Sequence, residues 1–184
     1  MEFKKVTREW DTLKKDAMER AKNAAPLVKE GKIVDAKDTV ALLEAVIKPY
    51  DKVNIEGNNQ KQADFLAKCL CQVDPAKIHD LHMVQSVLTL PEHLDVFEKG
   101  IAKKLDMSFS GPQAGRIAQF LQEGKLELGA IHTYLELYGR YFVDLTPRVA
   151  LVAATMADRE GNLFTGFSTE DTPAIVEATK FRQG

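Results

Sequence analysis

The sequence predicts an α/β protein, with a largely parallel β-sheet flanked by helices and an N-terminal helical arm. Short strand-like runs such as "KVNIE" and "LDMSF" are followed by helical patterns along the chain, which is typical of parallel strands joined by helical crossovers. No repeat or low-complexity linker divides the 184 residues, and 45% of them are hydrophobic. We therefore expect an arm over residues 1–34 and one α/β domain over residues 35–184.

Charge and composition exclude several classes of partner. A net charge of -2 and a pI near 6.1 give no basic field for nucleic acid or for an anionic membrane. No segment approaches the roughly 20 apolar residues of a membrane span, and the first residues lack the apolar core of an export signal. Cys69 and Cys71 lie two apart in a helical pattern, so they point to different faces and do not bridge. A cytoplasmic protein with reduced thiols is expected.

The first third of the chain predicts two helices, a strand and a third helix. Apolar residues recur at helical spacing from Thr7 to about Glu30, between dense charges, so this arm should be an amphipathic helix. A second helix should begin at the cap residue Asp38 and end before Pro49. The strand "KVNIE" and the helical stretch "QADFLAK" follow, separated by the polar turn "GNNQ".

The middle of the chain repeats this order. A strand rich in Leu, Met and Val should end before Pro91, and a short helix should run from Glu92 to Gly100. The alternating "KLDMSFSG" predicts the next strand, and the following helix should begin near Pro112 and end before Gly124.

The last third is less uniform. "KLELGAIHTYLELYGRYFVDL" mixes strand and helix signals, whereas Val149 to Thr155 is an apolar run that leads into a hairpin at "ADREGN". "STEDTPAIVEATKF" carries cap residues and an early proline, so it should be helical. A helix in this position normally leads to a further strand, so the sequence is expected to be part of a longer subunit.

Most familiar catalytic motifs are missing from the sequence. "GNNQKQ" and "GPQAGR" match neither a Walker loop nor a Rossmann fingerprint, and Ser108 and Ser110 lack the glycine pattern of a nucleophile elbow. Nucleotide enzymes of those types and serine hydrolases are therefore disfavoured.

The four histidines give only a weak metal signal. His132 and Glu136 stand four apart and could share a metal on a helix, but no third ligand accompanies them. In a strand, His79 and His82 would point to opposite faces. We interpret these three and His93 as structural histidines with satisfied hydrogen bonds, and we expect no metal.

Two glycine-containing loops remain as the candidate site, each placed between a predicted strand and a predicted helix. In a parallel sheet such loops share the carboxyl edge of the strands, where backbone N–H groups and side-chain amides can meet a carbonyl or an oxyanion. Glu56, at the end of its strand, is a candidate base, although an exposed charge or a cap partner is the simpler interpretation. The candidate thioester- and oxyanion-binding residues are Gly57, Asn58, Asn59, Gln60, Gly111, Pro112 and Gln113.

From about Asp35 to its end, the chain resembles the α subunit of bacterial malonate decarboxylase. The stretches that carry the resemblance are "IEGNNQKQADFLAK", "HDLHMVQSVLTLPEHLDVFEKGIA", "SFSGPQ", "GAIHTYLELYGRYFVDLTP" and "ADREGNLFTGFSTEDTPAIVEAT". The segment "ALVAATMADREGNLF" is also similar to the coenzyme A transferases and to the citrate lyase α subunit, so the resemblance implies a coenzyme A transferase-like fold.

The resemblance implies an acyl carrier protein transferase, which exchanges malonate for acetate on the carrier thioester. It implies a phosphoribosyl-dephospho-coenzyme A arm on the partner carrier protein and no cofactor covalently bound to this chain. Decarboxylase subunits would be further partners, and a homodimer is left open. In many coenzyme A transferases the nucleophilic glutamate lies in the second half of the protein, and no matching motif occurs here. This chain alone is therefore expected to be inactive.

Two other functions stay open at this stage. One is a citrate lyase α-type protein or a generic coenzyme A transferase. The other is a non-catalytic domain that docks onto neighbouring subunits.

Overall fold

The structure is a computed structural model that describes residues 12–57, 61–166 and 169–181. The helices are α1 (Thr12–Ala24), α2 (Thr39–Val46), α3 (Asp64–Leu70), α4 (Glu92–Glu98), α5 (Ala114–Gln122), α6 (Tyr134–Val143) and α7 (Thr172–Phe181). The strands are β1 (Val28–Glu30), β2 (Ile33–Val34), β3 (Lys52–Ile55), β4 (Leu81–Val87), β5 (Ala102–Phe109), β6 (Glu127–Ile131), β7 (Val149–Leu151), β8 (Met156–Ala157) and β9 (Leu163–Phe164). Short 3-10 helices span Ala25–Leu27, Ala36–Asp38 and Gly111–Gln113.

The centre of the molecule is a five-stranded parallel sheet in the order β6-β5-β4-β3-β7. The chain moves outward from β3 to β6 through α3, α4 and α5, and α6 then carries it back to β7 on the other side of β3. The direction of winding therefore reverses between β3 and β7. In α/β sheets this reversal opens a crevice at the carboxyl ends of the two strands.

Two apolar cores cover the two faces of the sheet. The larger core joins α2, α3, α4 and α5 to side chains such as Met83 of β4 and Leu105 of β5. The smaller core joins Leu137 and Tyr141 of α6 to Ile175 of α7 and Val84 of β4. Because strand side chains alternate between faces, Met83 and Val84 enter different cores. None of the helices in the described residues is long and apolar enough to cross a membrane.

The α/β prediction and most of its elements are confirmed. Helix α2 follows Asp38 and ends before Pro49, as expected. The mixed segment divides into β6 and α6, where Thr133 caps the helix by accepting a hydrogen bond from the Glu136 N–H. The hairpin at "ADREGN" is the antiparallel pair β8–β9. Cys69 and Cys71 are buried and unbridged.

The predicted length of the first helix is wrong. The prediction extended to Glu30, but α1 ends at Ala24 and the chain then forms β1. Pro26 lies in the intervening 3-10 turn, where a residue without an N–H group cannot continue the α-helical hydrogen bonds. The part of the predicted helix before residue 12 lies outside the described residues.

Helix α1 contacts the α/β domain through buried charges. The Arg20 guanidinium donates to both carboxylate oxygens of Asp51, at 2.5 and 3.0 Å, and to the carbonyl of Val46 at 2.6 Å. It also bonds to Asp16, which is paired with Lys48 as well. Burial opposes the charge of Arg20, yet these carboxylates raise its pKa above the ordinary value. Ion pairs and not a large apolar stripe therefore fix α1 to the domain.

Candidate functional site

Both predicted loops begin at the carboxyl edge of the parallel sheet. Gly57 follows β3, and Gly111–Gln113 follow β5. The strand between them is β4, whose exit turn contacts both: the Gln113 amide donates to the Thr89 carbonyl at 3.4 Å, and the Thr89 hydroxyl donates to Gln62 at 2.7 Å. The loops therefore share one edge but flank β4. Asn58, Asn59 and Gln60 lie outside the described residues.

Gly57 is buried and packs tightly against β4 and α4. A Cβ atom at this position would lie 2.7 Å from the Val87 carbonyl oxygen and 2.7 Å from Cε1 of His93, so only glycine fits. The Ser86 hydroxyl donates to the Gly57 carbonyl at 3.3 Å, and Gly57 forms an isolated antiparallel bridge with Gln62. The start of this loop is thus held in a fixed position by the central strand.

The second loop is more open. Gly111 has a φ of +53°, and a Cβ there would lie 2.9 Å from the Leu88 carbonyl oxygen, so both conformation and space favour glycine. Pro112 is exposed, while Gln113 is half-buried and precedes α5. Because the Gln113 amide nitrogen donates to the Thr89 carbonyl, this side chain ties the second loop to the exit turn of β4.

Glu56 is fully buried at the switch point, so the interpretation of an exposed charge is wrong. Its carboxylate forms an ion pair with Lys61 at 2.8 Å and accepts hydrogen bonds from the Ala153 N–H at 2.8 Å and from the Thr172 hydroxyl. Burial raises the pKa of Glu56, against the opposing effect of Lys61 and of the Ala153 N–H. With both oxygens bound, the carboxylate joins β3, the segment after β7 and the start of α7.

The sequence predicted cap residues at the start of α7 but did not indicate that they belong to the site. Asp171 is fully buried, and its Oδ2 accepts a hydrogen bond from the Tyr141 hydroxyl at 3.3 Å. Burial raises the pKa of Asp171, with Ser86 and Tyr141 acting in the opposite direction. Thr172 accepts from Lys61 at 2.7 Å. Only the folded topology brings these residues to the end of β3, more than 100 positions earlier in the chain.

A cleft of about 400 Å³ opens beside this switch point. It lies between the start of α3 and the residues that follow β7. The residues that line it are Gln62, Ala63, Asp64, Phe65, Leu66, Val152, Ala153 and Ala154. A crevice of this size and position can receive a small acyl group or the end of an extended arm.

Three of the four histidines have hydrogen-bond partners, as expected of structural histidines. His79 contacts Asp80 at 2.7 Å, His82 contacts Asp106 at 2.6 Å, and His132 contacts Asp106 at 2.7 Å. His132 also lies 3.3 Å from Glu136, its predicted neighbour. Within the described ranges, no group of three or more His, Cys, Asp or Glu residues is placed to hold a metal ion.

The prediction is wrong for His93. This side chain is fully buried and its Nε2 atom has no hydrogen-bond partner among the described residues.

The fold places the chain among the α/β proteins in which helices cover both faces of a parallel sheet, here one of five strands. A family model described as "Malonate decarboxylase, alpha subunit, transporter" matches residues 9–184. The chain belongs to the malonate decarboxylase alpha subunit family. It is 63% identical over 175 residues to the "Acetyl-S-ACP:malonate ACP transferase" of Malonomonas rubra, covering 95% of this chain and 32% of that protein.

Two solved structures have the same fold. One is a Pseudomonas malonate decarboxylase hetero-tetramer in complex with malonate, with a TM-score of 0.92 and 55% identity over 97% of this chain. The other is a malonate decarboxylase alpha subunit from Acinetobacter baumannii, with a TM-score of 0.92 and 50% identity over 96% of this chain. This chain covers 32% of each of those chains, so it spans about a third of the length of its relatives.

Proposed function

We propose that the chain forms part of an acyl carrier protein transferase subunit, which exchanges malonate for acetate on a carrier thioester. The observation that carries this proposal is the 63% identity with a protein named for that activity. The family membership favours this activity over that of citrate lyase or of a generic coenzyme A transferase.

The proposed reaction is malonate plus acetyl-carrier protein, giving malonyl-carrier protein plus acetate. The bond between the acetyl carbon and the carrier sulfur breaks, and a bond between a malonate carboxyl carbon and that sulfur forms. One oxygen of that malonate carboxylate leaves with the acetyl group as acetate. The exchange needs no net proton and no oxidant, so the protein has to position the groups and stabilise charge on the carbonyl oxygens.

The carboxyl edge of the sheet supports this task. Its loops start at Gly57 and Gly111, and the cleft beside Glu56 opens at the same edge. We assign Gly57 to Gln60 and Gly111 to Gln113 to contacts with the thioester. Backbone and side-chain donors of this kind each contribute roughly 3 kcal/mol when they stabilise an oxyanion. Glu56 serves in this proposal as the anchor of the first loop, because three donors occupy its carboxylate.

The carrier protein supplies the thioester in this proposal. It carries the acetyl group on a phosphoribosyl-dephospho-coenzyme A arm, and this chain receives the end of the arm. Decarboxylase subunits are the other proposed partners, since one relative with this fold is a hetero-tetramer.

Exchange of labelled acetate tests the proposal. The full-length subunit is incubated with acetyl-carrier protein, unlabelled malonate and ¹⁴C-acetate, and incorporation of label into the carrier is followed. We expect malonate and acetate to serve as acyl acceptors in this exchange, and we expect citrate not to do so. Absence of exchange with a folded subunit would contradict the proposed function.

A second candidate function for the isolated chain is that of a domain that docks onto neighbouring subunits without catalysing a reaction. Leu135, Phe142 and Val143 are exposed along one side of α6, and the chain spans only about a third of its relatives. In the same assay we expect no turnover by the 184 residues alone. Turnover at the rate of the full-length subunit would contradict this expectation.

The first loop gives a direct mutational test. In the full-length subunit, Asn59→Ala should lower the exchange rate about a hundredfold if the Asn59 amide stabilises an oxyanion. Circular dichroism and thermal unfolding should match those of the wild type. A normal exchange rate would remove Asn59 from the mechanism.

A further inference from the structure

The unpartnered buried polar groups are concentrated in one region of the molecule. Among the described residues, the buried side-chain atoms without a hydrogen-bond partner are Asn54 Oδ1, Gln85 Nε2 and Oε1, His93 Nε2, Ser108 Oγ and Asp171 Oδ1. All belong to the carboxyl halves of β3, β4 and β5, to the start of α4 or to the residue before α7. A buried polar atom without a partner destabilises the folded state, so native proteins keep few of them. Asn54 and Asp171 contact Tyr141 on the face that α6 and α7 cover, whereas Gln85 and His93 belong to the face that α4 covers, so these two are the groups that one ligand could satisfy.

His93 has a defined tautomer in this region. The Leu90 N–H donates to Nδ1 of His93 at 3.4 Å, so Nδ1 acts as an acceptor. A neutral imidazole that accepts at Nδ1 carries its hydrogen on Nε2. Burial lowers the pKa of His93 to about 4, so the ring is neutral near pH 7. The unpartnered Nε2 atom is therefore an N–H donor.

The His93 ring also lies beside the first candidate loop. Its Cε1 atom, the neighbour of Nε2 in the ring, would lie 2.7 Å from a Cβ at Gly57. The ring thus packs directly against the Gly57 backbone.

Gln85 supplies a second unpartnered amide on the same face of the sheet. It pairs in register with Met107, a member of the core that α4 covers, so its side chain points to the face on which His93 lies. Gln85 is fully buried, and neither its amide nitrogen nor its amide oxygen has a partner in the described part of the chain.

We propose that the Nε2–H of His93 and the side-chain amide of Gln85 bind the carbonyl oxygen of the acyl thioester beside Gly57. This inference rests on the proposed function and deepens it. Both groups donate hydrogen bonds as negative charge develops on the oxygen, and no proton leaves either group. A neutral donor in a buried site stabilises such charge strongly, because no water competes for the oxygen.

The unpartnered state of His93 gives a test that separates chemistry from folding. His93→Phe keeps a planar ring but removes both nitrogens. Because Nε2 has no protein partner among the described residues and only the long bond from the Leu90 N–H to Nδ1 is lost, the free energy of unfolding should fall only slightly. In the full-length subunit, kcat for carrier acylation should fall about a hundredfold while the KM for malonate stays within about twofold. A purely structural histidine would show the opposite pattern, with lower stability and normal kcat.

Two variants and a control complete the experiment. His93→Gln restores an N–H donor near the position of Nε2, so its kcat should be at least about tenfold higher than that of His93→Phe. Gln85→Leu removes the second donor with little change in shape and should lower kcat by a similar factor to His93→Phe. His79→Phe is the matched control, because His79 precedes β4 at the opposite end of the strand and contacts Asp80. It should leave kcat unchanged.

The outcomes distinguish this inference from the proposed function. If the wild-type subunit shows no exchange, the proposed function fails. If the wild type is active and both His93→Phe and Gln85→Leu have normal kcat, the proposed function stands and this inference is overturned. If His93→Phe does not fold, Gln85→Leu decides alone: a lower kcat supports the inference and a normal kcat overturns it.

Discussion

At the scale of single residues, Asp106 is a strongly bonded buried carboxylate outside the candidate site. It lies on β5, is almost fully buried, and accepts hydrogen bonds from His82 at 2.6 Å and from His132 at 2.7 Å. Burial acts to raise the pKa of Asp106, but the two histidines outweigh it and the pKa is lowered. The ionised carboxylate therefore stabilises the folded state by joining β4, β5 and the start of α6.

This network predicts a dependence of stability on pH. The pKa of Asp106 is lower in the folded chain than in the unfolded one, where it is near 3.9. Its contribution is therefore fully present above about pH 5 and is lost as the pH falls through the folded-state pKa. Urea unfolding between about pH 3 and pH 6 should show this loss in the wild type. In Asp106→Asn the free energy of unfolding at pH 6 should be about 3 kcal/mol lower than in the wild type. It should also fall less steeply than in the wild type as the pH is lowered. Equal slopes for the two proteins would contradict this role of Asp106.

Single residues also mark the limit of what the sequence could predict. The sequence indicated Glu56 as the carboxylate at the end of a strand, and that position is confirmed. Its three donors come from Lys61, Ala153 and Thr172, two of which are about a hundred positions away. The unpartnered state of His93 likewise depends on how α4 packs on the sheet. Local patterns contain no information on such contacts.

At the scale of elements, the junction of β5 and β6 depends on one glycine. A Cβ at Gly129 of β6 would lie 2.6 Å from Cγ of Asp106 and 2.9 Å from its Oδ1. The Asp106 carboxylate occupies the space that any larger residue would need. A register shift between Leu105 and Asp106 accompanies this contact.

Gly129→Ala should therefore displace the Asp106 carboxylate and weaken its bonds to His82 and His132. We expect the free energy of unfolding to fall by about 2 kcal/mol in urea titrations. Gly139→Ala is the matched control, since Gly139 lies on the exposed side of α6 and a methyl group added there would meet nothing within 4 Å. It should raise the stability by about 0.5–1 kcal/mol. Equal effects of the two substitutions would contradict the proposed role of Gly129.

Elements were predicted best where the pattern was long and bounded by clear signals. Helix α2 between Asp38 and Pro49, and the hairpin at "ADREGN", are confirmed for this reason. The first helix was extended too far because its charged pattern continues past Ala24, whereas Pro26 changes the backbone. The two-residue strand β2 follows so soon after β1 that no alternating pattern could indicate it.

At the scale of the whole molecule, the order of the strands creates the candidate site. Because all five strands of the sheet are parallel, the loops after β3 and β5 emerge at the same edge, and the reversal of winding places Glu56 beside the residues that follow β7. The sequence predicted parallel strands and therefore a shared edge. It could not predict that β7 pairs with β3, because that pairing depends on the long connection through α6.

The most direct test of the proposed thioester site is a crystal structure of the full-length subunit with a stable acetyl-carrier analogue, in which a methylene group replaces the thioester sulfur. We expect the ketone oxygen to lie about 2.7–3.2 Å from Nε2 of His93, at the carboxyl edge beside Gly57. An analogue bound with its ketone at the amino edge, near Lys52 and Lys104, would contradict this site.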